Sequence, residues 1–110
     1  DSITADHVVI NKGDVTQITS DSTPVTVNAS AGSITTVSLT LAADTNETFT
    51  VNNNQVFTTS SILVSVLNYS GNGVPHVYVV SVANGSFVLA IANIGTSTMN
   101  AVMKIAFVVH

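Results

Sequence analysis

Between Glu47 and Lys104 the chain carries no formally charged side chain. Within that stretch and just past it lie four apolar runs: Ile62–Asn68, His76–Val82, Ser86–Asn93 and Ala101–Val109. They are rich in Val and Ile and separated by Ser70-Gly71-Asn72-Gly73, Asn84-Gly85 and Gly95-Thr96. Short apolar runs of this kind, bounded by Gly/Asn turns, predict β-strands. Asn84-Gly85 predicts a hairpin, because a type I′ turn needs positive φ at both central residues.

The first half continues the pattern more weakly. Asp1–Asp14 is expected to be an N-terminal arm with a short strand at His7–Ile10, and residues 15–110 form the domain. Val15–Thr19 is a weak strand. Pro24 opens Val25–Asn28 at a sheet edge, where its missing N–H does least harm. Ser33–Leu41 alternates, except that Ile34 is out of phase, which predicts a bulge near Thr35-Thr36. Glu47–Asn52 points Phe49 and Val51 inward. Val56-Phe57 reads as an apolar plug. About eight strands and no helical period in 110 residues predict an all-β, antiparallel two-sheet sandwich of jelly-roll-like arrangement.

Composition narrows the function. Charged residues make up 7% of the chain, against about 25% in an ordinary domain, and Asn, Ser and Thr supply the polarity. Two cations and a net charge of −4 argue against nucleic acid and anionic membranes. Without cysteine there is neither thiol chemistry nor a disulfide. No apolar stretch is long enough for a transmembrane helix. A start at Asp1 without methionine is expected of a processed chain or a piece of a longer one. His7, His76 and His110 lack metal-ligand spacing, the acids are scattered, and neither a nucleophile motif nor a phosphate loop occurs. The expectation is a non-enzyme without cofactor.

Parity gives the sharpest inference. Val64, Val66, Val77, Val79, Phe87, Leu89, Ile91, Met103, Ile105 and Phe107 form one set, assigned to the core with Phe49. The opposite set includes Leu63, Leu67, Tyr69, His76, Tyr78, Val80, Val88, Ala90, Ala92, Val102, Ala106 and Val108, with Lys104 its only charge. A sheet face so apolar is expected to be buried between copies. His76, Tyr78, Val80, Val88, Ala90, Ala92, Ala106 and Val108 are the candidate interface. Asn53, Asn54, Tyr69 and Asn72 are candidate ligand-loop residues.

From Ala31 to Val109 the chain resembles small β-sandwich modules of virion structural proteins, found in tailed phages of marine bacteria and in large algal viruses. The residues that carry the resemblance are Gly32-Ser33-Ile34-Thr35-Thr36, the run Leu41-Ala42-Ala43 through Thr48-Phe49-Thr50-Val51-Asn52-Asn53, and Tyr69-Ser70-Gly71-Asn72-Gly73-Val74-Pro75-His76-Val77. Val82 through Gly85-Ser86-Phe87 to Asn93 and Lys104-Ile105-Ala106-Phe107-Val108-Val109 complete it. Family members often carry Thr or Ser where Val88, Ala90 and Ala92 stand. The resemblance implies a protein of the virion surface, either capsid decoration or cement or a tail-fibre or spike module. It implies self-association, with a homotrimer as the expected form, and other virion proteins as partners. Two rivals are a module of a viral fibre that binds a host-surface glycan or receptor, and a cell-surface filament or matrix subunit that donates its arm as a strand.

Overall fold

A computed structural model describes residues 12–110. The expected strand at His7–Ile10, and the arm up to residue 11, lie outside the described residues. Among the described residues eight strands are formed: β1 (Lys12–Thr16), β2 (Val25–Thr26), β3 (Ala31–Thr35), β4 (Asn46–Asn52), β5 (Ile62–Tyr69), β6 (Pro75–Ala83), β7 (Ser86–Asn93) and β8 (Met103–Val109). They make two four-stranded sheets, ordered β1-β3-β8-β5 and β2-β4-β7-β6. The described residues are all-β, and the sheets form a two-layer sandwich.

The pairing is nested. β3 pairs with β8 in one layer and β4 with β7 in the other, both antiparallel. This is the jelly-roll-like feature. The exceptions to antiparallel pairing are β1 with β3 and β2 with β4, which run parallel. The cause is the route of the chain. The first four strands alternate between layers, so strands two apart in sequence share a sheet and a direction. β1 begins at Lys12, so residues 12–14 of the expected arm belong to the sheet. Gly32 stands opposite Gly13 in that parallel pair, and any Cβ on Gly32 would collide with the Gly13 carbonyl.

The core follows the expected parity. Phe49, Phe87, Ile91 and Phe107 are buried. Val64 is only half-buried, because β5 is an edge strand. The expected strand Ser33–Leu41 is cut at Thr35. Ile34 and Thr36 are buried, and so are Leu39 and Leu41, so the phase changes between Thr36 and Leu39. Of the expected plug, Val56 is buried and Phe57 is 58% exposed.

No bulge interrupts β3, which pairs regularly up to Thr35; bulges lie instead on edge strands, at Val66/Asn68 in β5 and Val79/Ser81 in β6. The first moves Tyr69 to the inward phase, opposite Met103. The β6–β7 hairpin forms as expected, but only Gly85 has positive φ, at 85°. That turn is tied to a neighbouring segment, which sets its shape: Gly85 N donates to Val56 O and Asn84 Oδ1 accepts from Thr58 N.

Phe87 of one sheet meets Phe107 of the other, with ring centroids 6.3 Å apart. Phe87→Ala and Phe107→Ala should each cost about 3–5 kcal/mol in chemical denaturation. The double variant should lose less than the sum, because the rings share a contact. Strict additivity would show that they do not bind the layers together.

Candidate interaction surfaces

The outward-facing apolar residues lie on two opposite surfaces. His76, Tyr78, Val80, Val88, Ala90 and Ala92 are on the β6–β7 side, and Ala106 and Val108 belong to β8 in the other sheet. The expected single interface is therefore divided by the thickness of the sandwich. Strand parity separates inside from outside but is blind to which sheet a strand joins.

The β6–β7 surface is also more polar than its strands imply, because β4 contributes to it. Thr48 stands beside Ala90 and Thr50 beside Val88, with Tyr78 and Ser81 on the other flank. Ala90, expected to be buried between copies, is fully buried within the single chain. Its small side chain lies below its larger neighbours. Ala92, between Asn46 and His76, is half-buried for the same reason, and Val88 is half-buried between Thr50 and Ser81. Tyr78 is 37% exposed, packs against His76 at 5.5 Å and accepts a hydrogen bond from Asn46 Nδ2 at 3.4 Å. Beside this group is a shallow depression of about 380 Å³, lined by Asp44, Thr45, Asn46, Ala92, Asn93 and Ile94.

The β5–β8 surface holds both lysines of the chain. Lys12, Asp14, Ser33, Leu67, Lys104 and Ala106 line a depression of about 360 Å³. Ser33 Oγ donates to Asp14 Oδ1 at 2.7 Å. That bond holds the Asp14 carboxyl below its ordinary range, with Lys104 and Lys12 assisting against partial desolvation. β1 thus adds charge to the face on which Lys104 lies.

The four candidate ligand-loop residues do not come together. Asn53 and Asn54 follow β4, near the Asn84-Gly85 turn, where Asn53 N donates to Gly85 O. Tyr69 and Asn72 lie at the other end of the sandwich, beyond Pro75 and its partner Asn93. The Tyr69 hydroxyl donates to Asn72 O and accepts from Asn100 N, and its ring packs on the core. Asn53 is buried; its Oδ1 accepts from Ala29 N and Gln55 N, and its Nδ2 donates to Ala29 O at 2.6 Å. Asn54 is exposed. Asn53 and Tyr69 are therefore structural.

Asn93 does the same work at the opposite end and was not singled out from the sequence. Its Oδ1 accepts from Val74 N and Gly95 N, and its Nδ2 donates to Leu41 O and Ser97 O. A signal for both was present. Asn53 continues the inward phase of Phe49 and Val51, and Asn93 that of Leu89 and Ile91. An asparagine on an inward phase must find partners within the protein.

No protein-family model, curated protein or solved structure matches the chain.

Asn93→Ala should destabilise by about 2–3 kcal/mol in chemical denaturation, since one buried and three partly buried backbone groups lose their partner. Asn54→Ala, at an exposed side chain, should change stability by less than about 0.5 kcal/mol. Equal effects would mean that the buried amide is not an anchor. A second expectation concerns Asp21, whose carboxyl is pushed up by burial and by repulsion from Glu47. A raised carboxyl favours the folded state in acid, and that contribution is lost as pH rises through the folded value. Asp21→Asn should therefore raise the melting temperature at neutral pH, with the gain shrinking below the carboxylate range. A pH-independent effect would refute this.

Proposed function

We propose that the chain is a structural protein of the virion exterior, a capsid decoration or cement protein or a module of a fibre or spike. It works by self-association and catalyses no reaction. The resemblance over Ala31–Val109 supports the virion setting. The observation that carries self-association is the exposure of large apolar side chains on uncharged strands. Leu63 is 63% exposed, Leu67 56% and Val80 53%, and Val102, directly before β8, is 52% exposed. At about 25 cal/mol per Å² of apolar surface, covering such side chains with another copy is a strong drive to assemble.

The setting is tested on particles released by the organism that carries the coding sequence. Peptides of this chain should be found by mass spectrometry in purified particles, at many copies per particle. Brief protease treatment of intact particles should remove them while internal proteins survive. Absence from the particles, or protection equal to that of internal proteins, would overturn the exterior assignment.

A further inference from the structure

The two flanks of the sandwich are guarded very differently. On one flank the edges are β1 and β2. β1 carries Lys12 and Asp14 on its outward phase, and β2 is two residues long and preceded by Pro24. Charge, shortness and proline are the usual means of keeping an edge from pairing. On the other flank the edges are β5 and β6, of eight and nine residues. Neither carries a charge, and the one proline is the first residue of β6. Among the described residues each has a strand neighbour on one side only.

The core is open along the same flank. Inward residues of the central strands, such as Leu89, Ile91, Ile105 and Phe107, are at most 1% exposed. Ile62, Val64 and Val66 of β5 and Val77, Val79 and Val82 of β6 are all only half-buried against that core. A strand edge with no further strand beside it among the described residues, over a half-buried core, suits another extended uncharged edge that brings its own half-buried core.

We infer that the β5–β6 flank is the contact by which a second copy of this chain docks, through antiparallel pairing of β5 with β5 about a two-fold axis at Val64. This rests on the self-association proposed above and specifies its surface. The β5 bulge follows Val66, so the regular segment is Ile62–Val66 and its centre is Val64. Ile62 then meets the partner copy's Val66, and Leu63 meets its Ser65. Among the described residues β5 has one free edge, its other side being paired with β8, so a two-fold β5–β5 contact uses that edge in both copies and closes. Five strand residues span about 17 Å, too little for the about 800 Å² per partner of a stable interface. The β6 edge, on the same flank in the other layer, supplies the remainder.

The register is tested by charge exchange at Leu63 and Ser65, both exposed in the single chain. In Leu63→Lys/Ser65→Lys, like charges stand opposite each other twice across the axis. The dimer should weaken at least about a hundredfold, with part of the loss recovered at high salt. In Leu63→Lys/Ser65→Glu, opposite charges meet twice, and the dimer should persist. Mass by light scattering reads both, and circular dichroism checks the fold. Removal of residues 1–11 should leave the wild-type dimer intact. Equal dissociation of both variants, or an oligomer indifferent to both, overturns the β5 contact while self-association stands. So does a dimer lost on removing residues 1–11. A wild type that stays monomeric at high concentration overturns both readings.

Discussion

Buried side-chain amides are what allow this sandwich to close with so few charges. Loops that cross between layers carry backbone N–H and C=O groups that cannot all join a ladder, and each must be paired. Asn93 pairs four of them, on the segments around Leu41, Val74, Gly95 and Ser97. Asn53 does so at the other end with Ala29 and Gln55. Gln17, also buried, donates to Thr23 O and accepts from Val37 N. Buried Thr36 accepts from Met103 N and donates to Val37 O. A neutral amide offers donors and acceptors without the desolvation cost of an ion. The low charge content therefore reflects how the loops are anchored as well as how the surface is made.

With the ends anchored, the apolar interior is continuous from layer to layer. Phe49, Val51, Phe87, Leu89 and Ile91 face Ile34, Met103, Ile105 and Phe107. The nesting of β3 with β8 and β4 with β7 brings strands far apart in sequence together, so the core is assembled mostly from long-range contacts. Such a topology depends on register, because a one-residue slip would turn each inward side chain outward. The edge bulges absorb changes of phase. In β5 the bulge turns Tyr69 inward, where its hydroxyl closes the following turn on Asn72 and Asn100.

Outside the core the surfaces divide the labour. The β5–β8 face concentrates Lys12, Lys104 and Asp14 around small residues. On the β6–β7 face the two strands carry no charge, and Ala90 is shielded beneath larger neighbours. Among the described residues the flank formed by β5 and β6 has neither a charge nor a further strand beside it, and the proposed assembly rests on this asymmetry between flanks.

Strand content, most of the inward set and the hairpin at Asn84-Gly85 were legible in the sequence. These follow from local rules: apolar alternation marks a half-buried strand, and Gly/Asn marks a reversal. The inward phase of Asn53 and Asn93 marks them as buried anchors in the same way. Only the tertiary structure decided how strands were shared between sheets. Ala106 and Tyr78 have the same parity, and nothing local reveals that they look in opposite directions. Tertiary structure also decided that β1 and β2 run parallel to their partners and that β4 brings polar side chains to the β6–β7 face. It made Ala90 a buried residue, since burial depends on neighbours from strands far away in sequence. Which edges stay open was likewise settled by strand order, because an edge is a property of the sheet and not of the strand.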